Sequence, residues 1–214
     1  MKDNTQILLI DNYDSFTYNL QHLIQMHSDV VLSVRRNDDD YLDDIARGVY
    51  AGVVIGPGPG SPDDPDYFGH NNQVILDYGT QGLPVLGICL GFQGIYRCFG
   101  GALRVADLPM HGKVSQLKII EPGCLLQDVP LQAKVMRYHS IIADLTAPIP
   151  RCFRLTAFTE PGYAQKMNGP ELMAIEHRDF PIFGLQFHPE SFATEYGDRM
   201  IKHFIDRCQV AVDA

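Results

Sequence analysis

Four short, mostly apolar runs punctuate the first ninety residues, each followed by small or polar positions. Residues 7–10, 30–34, Gly52–Ile55 and Val85–Ile88 are strand-length and lack strict alternation, as expected of strands buried on both faces of a parallel sheet. Between them the period changes. Asp14 and Ser15 can cap a helix with Phe16, Leu20, Leu23 and Ile24 on one face, residues 71–78 read as helical, and residues 90–99 form a helix stopped by Gly100 and Gly101. This strand-helix rhythm predicts a parallel sheet covered by helices. In the second half, residues 114–120, 133–136, 153–158, 171–176 and 182–187 are strand-like and closely spaced, which predicts antiparallel pairing at one side of the sheet. Residues 194–208 close the pattern as a helix. The expected fold is therefore α/β and three-layered, with a mostly parallel central sheet, helices on both faces and a smaller antiparallel sheet. No repeat or linker interrupts it, so residues 1–214 are expected to form a single domain.

Composition narrows the function classes. Apolar residues make up 45% of the 214 and charged residues 20%, enough for a substantial core. A formal net charge of −9 without any basic stripe argues against a nucleic-acid partner, because phosphate binding needs clustered Lys and Arg. No apolar run approaches the ~18 residues of a membrane-spanning helix, and residues 1–6 lead into the first strand without a signal-peptide core. Cys89, Cys98, Cys124, Cys152 and Cys208 are odd in number and include no C-x-x-C pair, so free thiols in a reducing cytoplasm are expected. The histidines show no metal-type spacing with Cys or Asp, and no metal or cofactor is expected.

Ligands of open α/β sheets sit beyond the carboxyl ends of the strands. Three segments fall there and should meet at one edge: the Gly/Pro-rich residues 56–62, the turn at residues 87–91, and residues 188–190. Gly87-Ile88-Cys89-Leu90-Gly91 is a G-x-nucleophile-x-G elbow with cysteine as nucleophile, and the following helix amino terminus favours a thiolate. A free cysteine is more commonly an inert buried side chain, but strand, paired glycines and helix together favour the reactive reading. In an extended Gln186-Phe187-His188-Pro189-Glu190 segment, His188 and Glu190 point the same way, so the carboxylate can orient the imidazole as a base for the thiol. Taken alone, the segment fits a turn histidine beside an unrelated glutamate equally well. The N–H groups of Leu90 and Gly58 can receive an oxyanion. Two prolines and the lack of a Walker lysine argue against a phosphate cradle at residues 56–60, leaving a plain turn as the competing reading.

The chain resembles the class I, triad-type glutamine amidotransferases, and within them the small subunits of anthranilate and aminodeoxychorismate synthases. The resemblance runs from Ile7 to about Phe204. It is carried by residues 9–19, 56–62, 87–93, Met110-His111-Gly112-Lys113, Arg137-Tyr138-His139-Ser140 and residues 186–191. It implies Cys89 as nucleophile, His188 as general base and acid, Glu190 as its orienting partner, and Gly58 and Leu90 as oxyanion donors. Gly58, Pro59, Gly60, Gln93, Ser140 and Ile141 would surround L-glutamine. Asn12, Tyr13, Asp14, Ser15, Phe16, His111, Gly112 and Lys113 would form the face that docks a chorismate-binding synthase subunit, which receives the ammonia. One alternative is a stand-alone γ-glutamyl hydrolase, and the other is a regulatory subunit without catalysis. Phe92 stands where these subunits usually carry histidine, so coupling to the partner is expected to differ, and Gly56 replaces a common serine. Residues 159–169 form a longer stretch than in compact relatives.

Overall fold

A computed structural model describes residues 5–27, 30–160 and 162–212; residues 1–4, part of the stretch read for an export signal, lie outside them. Strands β1 (Thr5–Asp11), β2 (Val30–Arg36), β3 (Gly52–Ile55), β4 (Val85–Ile88), β5 (Leu103–Ile119), β6 (Lys134–Ala143), β7 (Phe153–Thr159), β8 (Leu172–His177) and β9 (Ile182–Leu185) share one sheet. Their order is β2-β1-β3-β4-β9-β8-β7-β5-β6. The first five of that order pair in parallel and the rest are antiparallel. A parallel neighbour requires a long crossover, whereas β8 and β9 are joined by a short turn and must run antiparallel. Strand β9 is thus the seam between the two halves.

Alternate residues of the parallel strands feed two cores. Ile7, Leu9, Val54, Leu86 and Ile88 face helices α1 (Thr17–Gln25) and α7 (Gly197–Val212) through Leu20, Ile24, Met200, Ile201 and Phe204. Leu8, Ile10, Val53, Ile55 and Val85 face the opposite layer, built on α5 (Leu90–Cys98) with Phe92, Ile95 and Tyr96. Each such side chain contributes roughly 1.5–3 kcal/mol on burial, so both strand faces must be apolar. The absence of alternation in the sequence has this cause.

Several boundaries move. Helix α1 starts at Thr17 without a side-chain cap; Asp14 instead accepts the Phe16 N–H at 2.7 Å in the turn before it. Phe16 is 41% exposed, so only Leu20 and Ile24 of the expected face are buried, with Leu23 partly so. Strand β5 begins at Leu103, well before residue 114, because irregularities in its pairing with β6 absorb Pro109 and Gly112. Gly112, at φ 65°, is the extra residue between His111, opposite Tyr138, and Lys113, opposite Arg137. Short helices α2 (Leu42–Ala46), α3 (Pro65–Phe68) and α6 (Tyr163–Asn168) were not expected, and α7 begins at Gly197 rather than 194. Residues 71–78 are helical as α4 (Asn71–Gln73) running into a π turn. Phe92 is fully buried, its ring stacked 6.4 Å from Tyr96. It therefore fills the core beside Tyr96, so its effect on coupling would act through packing rather than through direct contact with a partner.

Candidate active site

The adjacent parallel strands β3, β4 and β9 deliver the three chemistry-bearing segments to one edge. Cys89 occupies the bend between β4 and α5 with φ 54° and ψ −99°, a left-handed backbone rare for a side-chain-bearing residue. Its N–H donates to Leu185 O at 2.8 Å. The flanking glycines have separate reasons: a Cβ at Gly87 would collide with the Gly91 carbonyl, and one at Gly91 with Ile55 O. The first-turn N–H groups of α5, Leu90 included, have no intrahelical acceptor.

His188 is held from three sides. Its N–H donates to Met136 O at 3.1 Å, the Thr194 hydroxyl donates to His188 O at 2.6 Å, and the Tyr138 ring meets the imidazole edge-on with centroids 5.5 Å apart. Nδ1 lies 2.7 Å from Glu190 Oε1, and the two side chains are only 4% and 2% exposed. Burial opposes protonation of the ring, but Cys89 and Glu190 overcome it and raise the pKa from 6.5 to about 11. Glu190 holds Nδ1, while the buried Nε2 has no hydrogen-bond partner among the described residues. Nε2 is the atom left for proton exchange. Sγ itself lies 3.9 Å from Tyr138 O and 3.8 Å from Gln186 Nε2.

The Gly/Pro loop is fastened by Asn12, whose amide donates to Gly56 O at 2.8 Å while its oxygen accepts from Asn37 at 3.0 Å and Asn71 at 2.7 Å. A Cβ on Gly58 would lie 2.6 Å from Asn12 Cβ and 2.9 Å from Leu90 Cδ2. The two oxyanion-donor candidates are therefore neighbours, and only glycine fits. Pro59 and Gly60 are exposed at the rim. Gln93 is buried and donates to Ile141 O at 3.0 Å, which joins it to the Ser140–Ile141 backbone.

Of the expected docking face, Tyr13, Ser15, Phe16, His111, Gly112 and Lys113 are exposed and Asp14 is half-buried. Asn12 is the exception. At 1% exposure its side chain is engaged inside the molecule and cannot meet a partner. Phe16 packs on Tyr138 with ring centroids 5.5 Å apart, and His111 is paired with Tyr138 across the ribbon. The two exposed segments thus flank the tyrosine that touches His188. Burial raises the Asp14 pKa against the Phe16 N–H, and the charges of His188 and Glu190 are both felt there.

Sequence reasoning missed the structural work of Asn37, Asn71 and Thr194, the Tyr138 carbonyl, and Gln186. Only Gln186 carried a signal: it lies two residues before His188, and alternate residues of an extended segment share a face. Among the described residues no group of His, Cys, Asp and Glu could hold a metal ion, and no helix is long and apolar enough to cross a membrane.

The profile of the family "Glutamine amidotransferase class-I" matches residues 8–208. The chain belongs to that family. This class I glutamine amidotransferase is 44% identical over 202 residues to anthranilate synthase component 2 of Lactococcus lactis subsp. lactis (strain IL1403), covering 94% of each chain. It is 42% identical over 203 residues to aminodeoxychorismate synthase component 2 of Klebsiella aerogenes, covering 94% of this chain and 100% of that one. A Bacillus subtilis (strain 168) relative, 39% identical and covering 94% and 95%, is named aminodeoxychorismate/anthranilate synthase component 2. The crystal structure of a glutamine amidotransferase from Thermotoga maritima shares the fold, with a TM-score of 0.71 at 17% identity over 98% of this chain and 84% of that one.

Proposed function

We propose that this chain is the glutaminase subunit of a chorismate-aminating synthase, making ammonia from L-glutamine on a Cys89–His188–Glu190 triad. Sγ attacks the side-chain amide carbon, and the tetrahedral oxyanion is received by the Leu90 and Gly58 N–H groups. The C–N bond breaks as the imidazolium protonates the leaving nitrogen, leaving ammonia and a glutamyl-thioester. Water then attacks the thioester, giving a proton to His188 and returning the thiolate. Glu190 accepts from Nδ1–H and holds the tautomer throughout. Gln93 and the Ser140–Ile141 backbone, with Gly58, Pro59 and Gly60, would hold the substrate. The observation that carries this reading is the buried His188–Glu190 contact at 2.7 Å on a ring whose pKa the Cys89 thiol helps to raise.

Relatives named for both anthranilate and aminodeoxychorismate synthases support a component 1 partner for this chain. The exposed Tyr13, Phe16, His111 and Lys113 beside Tyr138 give that partner a face next to the triad, which a stand-alone γ-glutamyl hydrolase would not need. We read residues 1–214 as one domain because a single sheet spans both halves, and five free cysteines suit the reducing cytoplasm.

In complex with a chorismate-binding subunit, Cys89→Ser is expected to abolish glutamine-dependent synthesis and leave ammonia-dependent synthesis intact. Loss of both makes Cys89 structural. Vigorous partner-independent turnover of γ-glutamyl peptides would favour the hydrolase, and no wild-type turnover in any condition the regulatory subunit.

A further inference from the structure

Gln186 is a fully buried polar side chain that the chemistry above leaves idle. Three hydrogen bonds fix which end of its amide meets the nucleophile. The Ile141 carbonyl can only accept, so the Gln93 group 3.0 Å away is its NH2. The same NH2 lies 3.3 Å from the Gln186 amide, whose facing atom is therefore the oxygen. The Gln186 NH2 is thereby turned towards Cys89 Sγ, at 3.8 Å. A backbone carbonyl thus sets the polarity of the whole chain Ile141–Gln93–Gln186–Cys89.

The surroundings of the sulfur give this donor a role. The Tyr138 carbonyl, 3.9 Å from Sγ, accepts from the protonated thiol and favours it. An amide N–H does the opposite: it hydrogen-bonds the thiolate, and a bond to the charged form favours that form. The Gln186 contact is buried and the Tyr138 contact part-buried, so water is a poor substitute for a lost donor on the Gln186 side.

We propose that Gln186 stabilises the Cys89 thiolate, and that its bond to Gln93 links this donor to the pocket that receives glutamine. The inference rests on the reading of Cys89 as nucleophile. With Gln186 removed, the Tyr138 carbonyl is unopposed and the thiol ionises at higher pH.

The test uses the full-length chain and two variants. Gln186→Met keeps the length and removes the donor; Gln186→Glu keeps the shape and puts acceptors beside Sγ. Iodoacetamide alkylation is followed against pH on the Cys89 peptide by mass spectrometry. The midpoint is expected to rise by about one pH unit in Gln186→Met, and further in Gln186→Glu. With the synthase subunit present, glutaminase kcat should fall about tenfold, one pH unit being a factor of ten in thiolate, and by more than KM for glutamine changes. Ammonia-dependent synthesis should be unchanged, reporting an intact fold. An unmoved midpoint in either folded variant overturns the proposal, as does a raised KM at unchanged kcat, which would make Gln186 a pocket residue only. Cys89→Ala separates the two readings. If it retains glutaminase activity, the triad itself is wrong; if it is inactive while the Gln186 variants behave as wild type, only the Gln186 proposal fails.

Discussion

The parallel and antiparallel halves of the sheet place polar groups inside an apolar core in different ways. Strands β3, β4 and β9 are short and buried throughout, and polar chemistry begins only past their carboxyl ends, at Gly58, Cys89 and His188. Strand β6 carries charge within the strand. Arg137 is wholly buried, ion-paired with Glu171, and donates to Ser115 Oγ at 2.9 Å and His139 Nε2 at 3.2 Å. Asn168, at the end of α6, donates to Glu171 at 3.2 Å and clasps Leu108 of β5 through its N–H and C=O. The stretch at residues 159–169 therefore carries a clamp on the ribbon at Asn168. Burial, reinforced by the Arg137 charge, holds His139 well below its usual pKa and keeps it a neutral acceptor. The proposed triad sits past the ends of strands packed by apolar side chains alone, whereas β6, which carries the proposed substrate-binding Ser140 and Ile141, contains a buried ion pair. The two halves should fail differently.

The largest expected effect is on the parallel half. His188→Ala should cut glutamine-dependent turnover by on the order of 10⁴-fold or more, and Glu190→Gln should be milder by roughly a hundredfold, because it disturbs orientation rather than removing the base. His188→Ala also leaves the buried Glu190 carboxylate without its partner, so melting curves run beside the steady-state assays separate that loss of stability from the loss of the base. Equal losses for the two would remove the distinction between base and orienting partner.

On the antiparallel half the order is reversed. Arg137→Met strands the Glu171 charge and should cost about 3–5 kcal/mol in denaturant unfolding, whereas Arg137→Met with Glu171→Leu should recover most of it. A single variant as stable as wild type would show that the ribbon needs no such network.

A smaller effect sharpens the account of His188. Its pKa is raised, so the folded chain holds the proton more tightly than the unfolded one. The protonated ring's stabilising contribution is complete below about 6.5 and lost as pH rises through about 11. Cys89→Ala removes one of the groups that raise it, so the imidazole should titrate lower, as followed by NMR of the ring. An unchanged midpoint would mean that thiol and ring do not interact.

What the sequence made legible follows the same division. The elbow and the His188–Glu190 pair are local motifs whose spacing already dictates geometry, and both could be read from a few neighbouring residues. Asn12 could not, because its partners Gly56, Asn37 and Asn71 lie 44, 25 and 59 positions away, and a buried hub in a polar loop looks like a surface patch. The early start of β5 was hidden by Pro109 and Gly112, which read as strand breakers until the facing strand β6 accommodates them. Asp64 and Pro65 form a normal cap and first turn for α3, yet that helix is too short for any periodicity to announce it.

The central claim is that Cys89 is the activated thiol among five, and 6-diazo-5-oxo-L-norleucine, a glutamine analogue that alkylates a glutaminase nucleophile, tests it most directly. Treated chain should carry one adduct, on the Cys89 peptide, with Cys98, Cys124, Cys152 and Cys208 unmodified and the labelling lost in His188→Ala. Adduct on another cysteine, or labelling of Cys89 at the same rate without His188, would contradict the account.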